Sequence, residues 1–226
     1  MSVTIAYLHT SHVLIPLFSD LSKRELPGVE IFHMVDESLI QNTIRSGKLT
    51  RATIRRVLTM IESAHEGGAD GVVVTCSSIG PAASAAAELF DFPVIRVDEA
   101  MAEEAVRLGP KIGVAATLRT TLEPTVALLR AKAIESGRDV DVVESLCEDA
   151  FEAVLSGDTG THDRLLSESL LRLRSSVDVV VLAQASMARV VASMPGNGHA
   201  PILSSPELAV RSARSLLLPG DPAGVR

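Results

Sequence analysis

The chain has 226 residues, 46% of them hydrophobic, 22% charged and only 3% aromatic, with no Trp and a formal net charge of −7. That length holds one large domain or two small ones, each with its own core. The charge balance leaves no basic footprint for nucleic acid, the aromatic content offers no base-stacking surface, and no apolar run reaches transmembrane length. The two cysteines, Cys76 and Cys147, make no disulfide framework and suit a reducing compartment. The N-terminus enters an apolar strand without a basic region or cleavage site, so a cytoplasmic location is expected.

Residues 3–8 read as the first strand, followed by a polar loop of His9, Thr10, Ser11 and His12. A helix over 14–21 ends at Pro27-Gly28, and a second strand covers 29–35. A short helix over 36–45 stops at Gly47. Thr50 then caps a longer helix, with Ile54, Val57, Leu58 and Ile61 on one face, that ends at Gly67-Gly68. Val72, Val73 and Val74 form a buried strand, and Thr75, Cys76, Ser77 and Ser78 lead from it into an alanine-rich helix opened by Pro81. Val94-Ile95 is a short strand, and a helix runs from Asp98 or Glu99 to Leu108.

The second half repeats this order. A strand over 112–116 gives way to a polar loop with Thr117, Thr120 and Thr121, and a helix runs to about Ser136. A strand over 140–143 precedes two helices separated near 157–160. The strand over 179–182 leads to Gln184, Ile202-Leu203 is short, 207–217 is helical, and the tail from Pro219 is expected to fray. The halves also match residue by residue. Asp70 falls on Asp178, Cys76 on Gln184, Ser78 on Ser186 and Pro93 on Pro201, while Ile5 and Thr10 fall on Ile112 and Thr117. Such a repeat predicts two similar α/β units.

Alternating strands and helices predict parallel sheets covered on both faces, with ligands beyond the carboxyl ends of the strands. Those ends carry Thr10 and Ser11, Cys76 to Ser78, Thr117 to Thr121, and Gln184 to Ser186. Cys76 sits where a strand hands over to a helix start. Free N–H groups there favour a thiolate, so the thiol is expected to titrate below its ordinary value of about 8.5. There is no GxGxxG and no P-loop, so no Gly-rich phosphate loop is expected, and no His/Cys cluster has zinc spacing, so no metal is expected.

TCSS at 75–78, KIGVAAT at 111–117 with Thr117 and Thr120 three apart, and the repeat itself resemble the aspartate/glutamate/hydantoin racemase superfamily, which also holds maleate isomerases and arylmalonate decarboxylases. The resemblance covers nearly the whole chain. It implies an α/β fold of two flavodoxin-like lobes related by a pseudo-twofold axis, each with a parallel sheet, with the ligand cleft between them and no cofactor. The lobes would be 1–98 with 207–226, and 99–206. The racemases of that group use two cysteines on opposite faces of the substrate. Here Cys76 fits the first, and the second falls on Gln184. A carboxamide does not titrate near neutral pH, but its NH2 can donate to a carboxylate or an enolate oxygen.

The expected catalytic residue is therefore Cys76. The expected substrate-binding residues are Thr10, Ser11, Ser77, Ser78, Thr117, Thr120, Gln184 and Ala185; each hydroxyl could instead be a helix cap. Arg119 reads as a solvated side chain, His9 and His12 as surface or structural histidines, and Cys147 as buried and structural, with a replacement acid the other role open to the last three. The leading expectation is a cofactor-independent enzyme acting on a small carboxylic acid (amino acid, hydantoin-like compound or dicarboxylate) through one thiol, by α-carbon proton transfer or covalent attack. Isomerisation and decarboxylation both fit one-sided chemistry. A racemase with an unconventional second acid and a non-catalytic carboxylate binder are the alternatives. A homo-oligomer is compatible with the sequence.

Overall fold

A computed structural model describes residues 2–191, 194 and 200–218. The expected fraying from Pro219 lies outside the described residues. The chain forms two compact units: it leaves the first after Glu99 and returns to it at Pro206.

The first unit holds β1 (Thr4–His9), α1 (Ile15–Glu25), β2 (Glu30–Val35), α2 (Glu37–Ser46), α3 (Arg51–Glu66), β3 (Gly71–Val74), α4 (Gly80–Leu89) and β4 (Val94–Arg96). Its four strands are all parallel in the order β2-β1-β3-β4. The period-two alternation of strand side chains divides its core into two layers. Ile5, Tyr7 and Val73 pack with Phe18 of α1, and with Ala209, Val210 and Ala213 of the last helix of the chain (Ser205–Leu217). Ala6, Leu8, Val72 and Val74 face the other way, onto Val57 and Ile61 of α3 and the small residues Ala82, Ala83 and Ala86 of α4. The helix ends follow local chemistry. Asp36 accepts from Ser38 N–H at 3.0 Å, Thr50 Oγ1 accepts from Thr53 N–H at 3.2 Å, and Gly47 closes α2 at φ +64°.

The second unit holds α5 (Glu99–Leu108), β5 (Lys111–Ala116), α6 (Arg119–Glu135), β6 (Asp141–Leu146), α7 (Glu148–Leu155), α8 (Thr159–Arg174), β7 (Val179–Leu182), α9 (Ala188–Val191) and β8 (Ile202–Ser204). Its sheet, again fully parallel, has the order β6-β5-β7-β8. Ala115, Val180 and Leu182 pack on Leu166, Leu170 and Leu173 of α8. Gly113 is small because Leu173 fills the space above it: a Cβ there would lie 2.7 Å from Leu173 Cγ.

The sequence repeat is a repeat of register. Ile5 pairs with Gly71 and Ile112 with Val179, and the same two aspartates clamp the start of each central strand. Asp70 Oδ2 accepts from Thr4 N–H, and Asp178 Oδ2 from Lys111 N–H, each at 2.8 Å. One difference from expectation concerns Thr120 and Thr121. They belong to the first turn of α6, which begins at Arg119, so the polar loop is only Thr117 and Leu118. Their hydroxyls do not interrupt the helix because the buried Leu122, Val126 and Leu129 follow at helical spacing and offset the cost of Pro124 inside it. Among the described residues, no helix is long and apolar enough to cross a membrane.

Candidate active site

Cys76 stands two residues beyond the end of β3, in extended conformation, and opens a 3-10 turn over Ser77–Ile79 that runs directly into α4. The turn closes with Ile79 N–H donating to the Cys76 carbonyl at 3.2 Å. Four donors converge on the thiol: the Thr10 hydroxyl, the Ser78 and Ile79 backbone N–H groups and the Ser78 hydroxyl. All four favour the thiolate. They are outweighed by burial, because Cys76 packs against the apolar core between the sheet and α3 and α4, and the thiol is pushed up rather than down. This corrects the expectation of a depressed thiol: a strand-to-helix junction supplies N–H groups, but the apolar walls around it dominate. In the protein as it stands, Cys76 is a protonated thiol surrounded by groups ready to hold its conjugate base.

The equivalent junction of the second unit carries Gln184, which opens a 3-10 turn over Ala185–Met187. Its Oε1 accepts from Thr117 N–H at 2.7 Å and from the Thr117 hydroxyl at 3.0 Å. Turning the amide over would set its NH2 against the Thr117 N–H, donor to donor, so the orientation is decided and the NH2 points away from Thr117. Thr10 serves Cys76 and Thr117 serves Gln184, at matching positions of the repeat. Two accepting bonds on the amide oxygen also polarise the amide and strengthen its NH2 as a donor.

The structure therefore brings Thr10, Cys76 and Ser78 together in the first unit, with Ser77 beside them in the turn, and Thr117 and Gln184 together in the second, followed in the chain by Ala185. Neither Ser11, which precedes a 3-10 turn, nor Leu118, which precedes α6, caps through its side chain. Thr120 Oγ1 is buried with no hydrogen-bond partner among the described residues.

Of the other singled-out residues, His9 is fully buried. It lies in a chain of four side chains: Ser19 Oγ to His33 Nε2 (2.9 Å), His33 Nδ1 to His9 Nε2 (2.8 Å), and His9 Nδ1 to Thr75 Oγ1 (2.8 Å). The Thr75 hydroxyl spends its proton on the Leu8 carbonyl at 3.0 Å. His9 must then donate through Nδ1 and accept through Nε2, which orders every proton back to Ser19. Burial, and then the neighbouring His33, lower the His9 pKa to about 4, so the ring is neutral. Its side chain lies on the face of the sheet opposite Cys76 and is structural. His12 is exposed and pairs with Glu37 at 2.6 Å. Arg119 is solvated, 4.0 Å from Glu123. Cys147 departs from the expected burial: it is half-exposed, in a cavity of about 550 Å³ with Glu144, Ser145, Glu148, Ser169 and Arg172. β6 is an edge strand and so covers that position from one side only. Among the described residues, no group of three or more His, Cys, Asp or Glu is placed to hold a metal ion.

Sequence reasoning missed His33 and the pair Arg96 and Asp98. Arg96 is 6% exposed and Asp98 fully buried, with Nε to Oδ1 at 2.7 Å and Nη2 to Oδ2 at 3.1 Å. A charged residue inside the short strand 94–96 was the available signal, since a buried strand carries a charge only when a partner is close.

Solved structures share this architecture. An aspartate racemase from Picrophilus torridus superposes with a TM-score of 0.70 at 13% identity, covering 95% of this chain and 94% of its own. The glutamate racemase of Francisella tularensis subsp. tularensis, solved with D-glutamate, gives 0.71 at 17% identity, covering 96% and 81%. Allantoin racemase from Klebsiella pneumoniae gives 0.65 at 19% identity, covering 95% and 87%. At these identities the likeness establishes the fold. No curated protein matches the sequence. The profile of the Asp/Glu/hydantoin racemase family, however, matches residues 10–213, from the hydroxyl beside the thiol to the helix that completes the first core. With one junction bearing a thiol and its repeat partner bearing a carboxamide, the chain belongs to the Asp/Glu/hydantoin racemase family.

Proposed function

We propose that the protein is a cofactor-independent enzyme that transfers a proton at the α-carbon of a small carboxylic acid, with Cys76 as its one titrating group and Gln184 as a neutral donor to the ligand. The observation that carries this reading is the locked amide of Gln184. Its oxygen is consumed by Thr117, so only N–H is offered to a ligand. The other candidates, Thr10, Ser11, Ser77, Ser78, Thr117 and Thr120, are hydroxyl residues beside backbone N–H groups, a surface that suits a carboxylate or an enolate oxygen. The relative solved with D-glutamate is an amino-dicarboxylate enzyme, which makes amino acids and dicarboxylates the first compounds to try.

The protonated state of Cys76 favours its entry as an acid. Where a carboxylate leaves as CO2, its bonding pair forms the enediolate and the Sγ–H proton passes to the α-carbon; where an α-proton is exchanged, the thiolate first takes that proton, leaving the C–H pair in the enediolate, and returns a solvent-exchanged proton to the same face. The thiolate left behind is held by the Ser78 and Ile79 N–H groups and the Thr10 and Ser78 hydroxyls, and solvent restores its proton. With one titrating face, stereospecific exchange, isomerisation or decarboxylation follows more directly than racemisation. Two free cysteines suit a reducing compartment, and a cytoplasmic location is part of the proposal. The test is a panel of small carboxylates followed by proton NMR in D2O for α-proton exchange, isomerisation or CO2 loss.

A non-catalytic carboxylate binder is the second reading, and the upward push on the Cys76 thiol is what favours it. Exchange, isomerisation or CO2 loss of any compound of the panel that is abolished in Cys76→Ala rejects it.

A further inference from the structure

We propose that Arg96 is a positioning residue: its buried ion pair with Asp98 pins the turn that carries Cys76. This rests on the reading of Cys76 as the working thiol. The Arg96 guanidinium lies against Gly80, the first residue of α4 and the one directly after Ile79. A Cβ at position 80 would sit 2.7 Å from Arg96 Cζ and 3.0 Å from Nη2. The guanidinium cannot swing aside to make room, because both of its Asp98 bonds would break in a site with little access to water. It also reaches Ser84 one turn into α4, Nη1 to Oγ at 3.5 Å. Arg96 thus braces the backbone immediately after the two N–H groups that point at the thiol.

The repeat supplies a comparison within the same chain. Arg96 pairs in register with Val74, and Ser204 with Leu182 at the matching place. Gly80 opens α4, and Ala188 opens α9. The junction that bears the thiol has Gly and Arg at these positions, and the junction that bears the carboxamide has Ala and Ser. A buried ion pair is a poor source of stability, since desolvation offsets most of its attraction, so its presence on the thiol side alone calls for another role. Gln184 needs no such brace: its side chain is held by Thr117.

The experiment uses the full chain with Cys147→Ser, which leaves Cys76 as the only thiol. The alkylation rate with iodoacetamide is followed against pH, and folding is checked by circular dichroism. Gly80→Ala should raise the alkylation midpoint by about one pH unit, roughly what one lost charge-assisted hydrogen bond does to a thiolate. Arg96→Lys should move it the same way, because an ammonium keeps the charge but not the flat fork. If either variant fails to fold, the triple Gly80→Ala/Arg96→Ser/Asp98→Asn, which removes clash and buried charge together, should fold and still show the raised midpoint. Midpoints within about 0.2 units of the parent in the folded variants overturn the proposal, and so does Arg96→Lys behaving as the parent while the triple shifts, since charge alone would then be responsible. A parent thiol inert at every pH overturns the functional reading and this inference with it; unshifted variants of a reactive parent overturn this inference alone.

Discussion

Lowering the pH from 7 to 4.5 should destabilise the fold by about 2.5 kcal/mol through His9. The ring is fully buried, and its pKa in the folded chain is lowered to about 4, while an unfolded histidine titrates near 6.5. The folded state therefore binds the proton more weakly than the unfolded state. The stability this represents is complete above about pH 6.5 and is lost as pH falls toward 4. At pH 4.5 the unfolded ring is two units below its pKa and the folded ring is still largely neutral, which at 1.36 kcal/mol per unit gives about 2.5 kcal/mol. His33, lowered by its own burial, adds in the same direction, but two rings 2.8 Å apart do not both take up a proton. Glu37, Glu104, Asp158 and Asp163 are held below the ordinary carboxylate range by hydrogen bonds to His12, Arg107, Thr161 and Arg189, so their losses come at still lower pH. Urea unfolding at pH 7 and 4.5 measures the loss, and an NMR titration of the ring Cε1–H assigns it. A His9 ring that titrates near 6.5, or unchanged stability at pH 4.5, would refute the buried neutral pair.

Cys76→Ala should abolish turnover and lower stability by only about 1 kcal/mol, since one small buried group replaces another, as kinetics and urea melts would show. Gln184→Ala strands the Thr117 N–H and hydroxyl and removes the ligand's donor, and should weaken binding of a small carboxylate by roughly 1–3 kcal/mol in calorimetry. Gln184→Cys places a second titrating group at the repeat position and should raise exchange into the opposite enantiomer; a small gain is expected, because the new thiol lacks tuned neighbours. Asp70→Ala removes the acceptor that clamps Thr4 and should cost about 1–2 kcal/mol without changing activity.

The two sheets were legible because their strands are short β-branched runs and the halves share a register, so that Asp70 and Asp178 announced equivalent strand starts before their shared bond to the central strand was visible. The junction residues were legible for the same reason: Cys76 and Gln184 each stand where an apolar run stops. What the sequence did not carry was the third dimension around them. It shows the N–H groups of a helix start but not the apolar core against which Cys76 packs and whose burial pushes the thiol up. It shows His9 in a polar stretch but not the turn of its ring away from Cys76 toward Thr75 and His33, 24 residues off. It does not show the pairing of Arg96 with Asp98, because their spacing of two says nothing of a Gly80 small enough to admit a guanidinium. Thr120 lies in a polar stretch of the sequence, whereas the packing of Leu122, Val126 and Leu129 decides where α6 begins.

The central claim is that Cys76, as the one titrating group, works on one face of an α-carbon acid. It is tested most directly by incubating each enantiomer of an accepted α-carbon acid with the protein in D2O and following deuterium incorporation by NMR. The account predicts incorporation into one enantiomer with retention of configuration, lost in Cys76→Ala. Comparable incorporation into both enantiomers, or exchange that survives Cys76→Ala, would contradict it.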